Sequence, residues 1–204
     1  TIKINDGAQD GATITYTIAI ADANDQTPTY TATSTTPTVT EGATAVDTNV
    51  AITDTDTGDS NTCTKGGADA DLFTCTVTAT AYSVAFSSAP DYDSGSDCDA
   101  GNSCTVTIKI NDGAQDGATI TYTITIADAN DQTPAVTVDS SYATAEATTV
   151  FQTFTIVDTD TTGTYGCTLG GADSAAFSKT VTGKNCVVSW ASARDYDAAH
   201  ADAN

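Results

Sequence analysis

A block of 28 residues occurs twice in this chain: Thr1–Pro28 returns as Thr107–Pro134, and only Ala19 against Thr125 separates the copies. A sequence with such an internal repeat folds from a recurring unit and not as one undivided core. The copies lie 106 residues apart, so the 204 residues have room for about two units, each near the common domain size of roughly 100–150 residues.

A second repetition is weaker in identity and clear in pattern. Glu41, Asp54-Thr55-Asp56, Gly66-Gly67-Ala68-Asp69, Phe73 and Asp91-Tyr92-Asp93 return as Glu146, Asp158-Thr159-Asp160, Gly170-Gly171-Ala172-Asp173, Phe177 and Asp195-Tyr196-Asp197. A full unit then closes on Ile-Asn-Asp-Gly and on Asp-Ala-Asn-Asp-Gln-Thr-Pro, the latter at Asp22–Pro28 and Asp128–Pro134. On this pattern residues 1–28 are the last two strands of a unit, 29–134 are a complete unit, and 135–204 are a unit without its last two strands. The two ends are complementary, which predicts that each copy of the chain completes another.

Within the units Thr, Val and Ile alternate with polar residues in short runs, and no apolar residues recur at helical spacing. That is the pattern of half-buried strands, and the chain is expected to be all-β. Thr107–Ile110 and Ala118–Ile126 read as two strands joined by the glycine-bearing turn 111–117, and Thr1–Ile20 reads as the same hairpin without a domain. A lone hairpin is marginal in water, and a sandwich without its last strands exposes an edge. The threonines of Thr74-x-Thr76-x-Thr78-x-Thr80 and Thr119-x-Thr121-x-Thr123-x-Thr125 suit outward strand positions better than an ice-binding array.

With 27 acidic and 6 basic side chains the formal charge is −21, which repels nucleic acid and anionic membranes. The six cysteines show no paired zinc spacing and have only His200 as an imidazole companion. Disulfides are expected, and with them an oxidising, extracellular or cell-surface location. Order and spacing favour Cys63 with Cys75, Cys98 with Cys104, and Cys167 with Cys186. The sequence contains no leader and no membrane-spanning run, as in a mature form or a window of a longer polypeptide.

Asp54-Thr55-Asp56-Thr57-Gly58 opens like an EF-hand loop, but Lys65 stands where that loop needs a bidentate Glu. His200 has no nucleophile or metalloprotease motif beside it and reads as a surface residue. No enzyme is expected. Trp190 and the tyrosines read as packing residues.

Taken in order, Glu41, Asp54-x-Asp56 with Gly58 and Asn61 behind it, Asp91-Tyr92-Asp93, Asp112 and Asp128-x-Asn130-Asp131-x-x-Pro134 resemble the cadherin repeat. The resemblance covers the whole chain. It departs from the family in having Tyr for Arg and Asp for Glu at 92–93 and Gln132 for Asn. It implies tandem seven-stranded Greek-key β-sandwiches joined by linkers that bind Ca²⁺, in a microbial surface or fibre protein. Carried over residue by residue, the joint at 128–131 takes Glu41, Asp91 and Asp93 from the unit before, Asp128, Asn130 and Asp131 from the linker, and Asp158 and Asp160 from the unit after. Its last ligand is Asp6 of another copy. The other joint takes Asp22, Asn24, Asp25, Asp54, Asp56 and Asp112 from this chain, with Glu146, Asp195 and Asp197 from a preceding copy. An all-oxygen donor set suits calcium, whereas zinc favours nitrogen and sulfur. The expected function is a structural block of a calcium-stiffened extracellular fibre or long adhesin assembled head to tail from further copies. The alternative is a calcium-dependent module that recognises carbohydrate or a partner protein.

Overall fold

The fold is that of a computed structural model, which describes residues 1–58, 60–95, 98, 101–136, 138, 143–195 and 197. His200 and Tyr196 lie outside them. Strands and two single-turn 3₁₀ segments make up the regular structure, and among the described residues no helix is long and apolar enough to cross a membrane.

One four-stranded sheet has the order β1 (Thr29–Tyr30), β3 (Ala45–Thr53), β6 (Ala81–Phe86), β5 (Phe73–Val77), and another has the order β2 (Thr38–Thr40), β8 (Ile120–Ala127), β7 (Ser103–Asn111), β4 (Thr62–Gly66). The seven strands expected are eight segments here, because the first is divided. β1 pairs antiparallel with β3, and β2 runs parallel to β8. The break falls before Pro37, which has no N–H to continue a ladder.

By contacts the chain separates into two compact units. One comprises 1–37, 45–87 and 104–124, the other 38–44, 88–103 and 125–204. In the first, alternation does the folding: β6 buries Tyr82, Val84 and Phe86, β7 buries Cys104, Val106, Ile108 and Ile110, and β8 buries Tyr122 and Ile124. A register shift between Asp47 and Val50, where Asn49 takes φ +57°, lets Asp47, Val50 and Ile52 all face inward. The buried Asp47 carboxylate accepts from the Tyr122 hydroxyl at 3.0 Å and the Thr33 N–H at 2.9 Å, and Tyr122 and Tyr82 share a hydroxyl contact of 3.0 Å. Burial pushes both phenols up, Tyr122 well above the usual tyrosine range. Cys63 of β4 is bonded to Cys75 of β5 and so ties the two sheets together. Lys65, at the position that excludes an EF-hand, lies in β4 and donates to the Phe73 carbonyl. Thr74, Thr76, Thr121 and Thr123 point outward as their alternation predicts.

The second unit has a three-stranded sheet of order β10 (Phe177–Thr182), β11 (Asn185–Trp190), β9 (Val150–Thr155). Its centre is aromatic. Trp190 stacks on Phe177 at 4.3 Å, Phe151 meets both edge-on, and the Arg194 guanidinium lies 4.8 Å from the Trp190 ring centre. Cys167 is bonded to Cys186 of β11. Cys98 and Cys104 are also oxidised, and no cysteine is free.

The repeated block has two different outcomes. In Thr107–Pro134 it forms most of β7 and all of β8; β7 starts at Ser103, before the expected Thr107, and β8 at Ile120, after the expected Ala118. In Thr1–Pro28 its strand residues form only the bridges Ile2 to Ile14 and Asn5 to Asp10, and Ile2, Ile4, Ile14, Tyr16, Ile18 and Ile20 face solvent. The turn is the same in both copies. The Asp6 carboxylate accepts from the N–H groups of Ala8 and Gln9 at 2.9 and 2.7 Å, and Asp112 accepts from Ala114 and Gln115 at 2.8 and 2.7 Å. Gly7 and Gly113 take φ of +96° and +103°, a backbone suited to glycine.

Candidate metal centre

Glu41 follows β2 directly, held there by its N–H to the Ala127 carbonyl at 3.0 Å. Its buried carboxylate is a clamp: one oxygen accepts from the Tyr92 N–H at 2.6 Å, the other from the Ala129 N–H at 2.7 Å. That fixes the Asp91–Asp93 turn and the start of the 128–131 linker beside each other. Ser94 N–H closes the turn on Asp91 at 3.1 Å. Across the linker, the Asp160 carboxylate accepts from the Gln132 N–H at 3.0 Å, and Asp158 accepts from the Asp160 N–H at 3.1 Å. Asp128 accepts from Thr161 N–H at 2.5 Å, from its hydroxyl, and from Thr162 N–H at 3.0 Å.

Two carboxylate triads result. Glu41, Asp91 and Asp93 form one, Asp93, Asp128 and Asp160 the other, each with oxygens within 4.8 Å of one another. Asp93 belongs to both. Its carboxyl is pushed up from the ordinary value, first by burial and then by the charges of Asp160 and Glu41. Asp128 is pulled down, chiefly by the Thr161 hydroxyl. Asp131 accepts from the Gln132 side chain at 2.9 Å, and Asn130 lies against Gly163.

The first linker repeats half of this arrangement. Asp22 accepts from the Thr57 N–H and hydroxyl at 2.6 and 2.9 Å, Asp56 from the N–H groups of Asp25 and Gln26 at 2.7 Å each, and Asp54 from the Asp56 N–H at 3.1 Å. Asn24 donates to the Asp112 carbonyl at 3.1 Å. Asp22 and Asp112 are both pulled down, by the Thr57 N–H and the Gln115 N–H first. Among the described residues, Asp22, Asp25, Asp54, Asp56 and Asp112 contribute to no triad of the kind above. Glu146, Asp195 and Asp197 do form one, and all three are exposed. Asp6 is exposed and occupied by its own turn.

The carboxylates and the linkers were legible in the sequence. Thr57 and Thr161 were not, although each is the fourth residue of an Asp-Thr-Asp-Thr run, and that recurrence was the available signal.

The donor set fits a hard cation. Asp93 Oδ2 and Asp128 Oδ1 in one linker, and Asn24 Oδ1, Asp54 Oδ2 and Asp112 Oδ2 in the other, are buried acceptors with no hydrogen-bond donor. A buried orphan acceptor is costly. The gathered negative charge suits a cation, and an all-oxygen donor set in adaptable loops is of the kind that calcium takes, whereas zinc favours nitrogen and sulfur.

Two faced sheets with a divided first strand, followed by carboxylate-rich linkers, define a class of tandem β-sandwich. More particularly, the fold is cadherin-like. Human CDH23 EC21-23 superposes with a TM-score of 0.58 at 22% identity, over 87% of this chain and 58% of that one. Mouse clustered PcdhgC3 EC1-3 gives 0.57 at 17%, over 88% and 61%. A protocadherin gammaB7 EC3-6 cis-dimer structure gives 0.57 at 16%, over 85% and 41%. The chain therefore spans less than two thirds of each. No protein-family model matches the sequence, and no curated protein is significantly similar to it.

Proposed function

We propose that this chain is a structural block of an extracellular fibre or long surface adhesin, with joints stiffened by Ca²⁺ and copies that follow one another head to tail. The observation that carries the reading is the pair of triads sharing Asp93, with orphaned oxygens on Asp93 and Asp128. Glu41, Asp91, Asp93, Asp128, Asn130, Asp131, Asp158 and Asp160 would hold the ions at this joint. Asp22, Asn24, Asp25, Asp54, Asp56 and Asp112 would hold half a joint, completed by Glu146, Asp195 and Asp197 of a preceding copy. Asp6 would return to Asp158 and Asp160 of its neighbour. Bound calcium neutralises carboxylates that otherwise repel across each linker. An ion held at about 0.1 mM in roughly 1 mM calcium adds only about 1.4 kcal/mol, so stiffness needs several ions per joint.

The near-identity of the two 28-residue blocks supports a repeating structural role, since a recognition site needs only one special unit. Three disulfides support an extracellular setting. The test is calcium titration by calorimetry, together with the persistence length of assembled material in calcium and in excess chelator. Uptake of several ions and a collapse of stiffness on chelation are expected. Equal stiffness in both conditions refutes the reading.

A further inference from the structure

We infer that the second unit carries a strand-docking site whose occupant is the hairpin Thr1–Ala21 of a second copy of this chain. The inference rests on the head-to-tail reading and names the surfaces that meet. It starts from one block of sequence in two environments. Ile108, Ile110, Tyr122, Ile124 and Ile126 are at most 1% exposed, whereas their counterparts Ile2, Ile4, Tyr16, Ile18 and Ile20 are 50–95% exposed. A face that completes a core in one place stands uncovered in the other.

The receiving surface has the matching deficiency. In the complete sandwich β4 (Thr62–Gly66) pairs with β7, Cys63 facing Ile110 and Lys65 facing Ile108. Its counterpart, Gly166–Gly170, forms no strand and pairs with no described segment. There Gly166–Gly170 line an open apolar cavity of about 430 Å³, together with Phe154, Ile156, Phe177 and Val188. Space has also been left free. A Cβ at Gly66 would strike the Thr107 hydroxyl at 2.8 Å, while one at Gly170 would meet nothing within 4 Å. Thr1 is the counterpart of Thr107, so its arrival would fill that space. Transferring the register places Ile4 opposite Cys167, Ile2 opposite Leu169 and Thr1 opposite Gly170. An extended segment added at an unpaired edge gains main-chain hydrogen bonds for affinity and alternate side chains for register. Because donor and acceptor are different surfaces of one chain, the contact propagates without closing.

The experiment uses the full chain and the variant Ile4→Asp/Ile18→Asp, whose changes fall on exposed side chains and leave Ile110 and Ile124 intact. In sedimentation velocity the parent chain should form concentration-dependent oligomers and the variant should remain monomeric. A synthetic peptide of Thr1–Pro28 added to the variant should then slow amide exchange at residues 166–170 by about tenfold or more, and a peptide carrying the same two substitutions should not. A variant that oligomerises like the parent, or a parent peptide that protects nothing at 166–170, overturns the docking site. Calorimetry with calcium alone separates the two ideas. Ion uptake without peptide protection refutes docking only, and peptide protection without ion uptake refutes the calcium reading only.

Discussion

Asp93 sits where the carboxylates of Glu41, Asp91, Asp128 and Asp160 converge, and its pKa is raised first by burial and then by the charges of Asp160 and Glu41. The native value lies above the unfolded one, so between the two the native state holds a proton that the unfolded chain has released. The stability this contributes is full below the ordinary carboxyl value and is lost as pH rises through the raised one. In chelator, the Asp93 contribution should therefore fall as pH rises through the carboxyl range, opposing that of Asp22, Asp112 and Asp128, whose lowered values add stability over the same range; Asp93→Asn should remove the falling component and leave the metal-free chain more stable than the parent at pH 7. In calcium the same substitution removes a charged ligand and should weaken binding by roughly tenfold. Denaturant melts across pH in both conditions check the two signs. An Asp93→Asn variant whose chelator-treated stability follows pH as the parent's does contradicts the assignment. Glu41 shows how much of the site a sequence conceals: its acid type was evident, but its use as a backbone clamp on Tyr92 and Ala129 depends on which loops the fold brings beside it.

The repeated hairpin separates what is encoded locally from what is not. Its turn forms in both copies, since Asp6 or Asp112 caps the following N–H groups and Gly7 or Gly113 supplies the positive φ within a few residues. Its strands form in one copy only, because a lone hairpin is marginal and the strands that flank it, β2 and β4, come from parts of the chain distant in sequence. Alternation thus made the strands legible in type and could not say whether they would be paired. The cysteine pairs Cys63–Cys75 and Cys167–Cys186 were legible, since short separations suit neighbouring elements. The division of the first strand was not, because it depends on two sheets competing for one segment. With a sequence separation of 12 between its cysteines, the Cys63–Cys75 bridge is worth about 3 kcal/mol in the chain-entropy model. Replacing both cysteines with Ser should lower the denaturation free energy of the first unit by about that amount and leave the exchange protection of β9–β11 unchanged. No loss would show that the bridge does not constrain the unfolded chain.

At the scale of the whole molecule, the duplicated block fixed the repeating character of the chain and the acidic linkers fixed where the chemistry lies. The compact units nevertheless cut across the sequence repeat. Segments 38–44 and 88–103 group with 125–204, because Glu41 hydrogen-bonds Tyr92 and Ala129 and the linker carboxylates gather there. No inspection of the repeat alone would move a boundary in this way. The disulfides acquire a further meaning in any polymer that bears load. When a sandwich is pulled open, the stretch from Cys63 to Cys75 stays closed, and with Cα atoms 6.2 Å apart across 12 residues it withholds about 35 Å of contour length. The stretch from Cys167 to Cys186, a sequence separation of 19, withholds about 60 Å. Single-molecule extension should therefore show unfolding steps that lengthen by about these amounts once reductant is added, and identical steps with and without reductant would refute this. Oxidised, each sandwich behaves under tension as a shorter tether than its residue count suggests, so a filament of such units can yield at one domain and still lose little slack to the load.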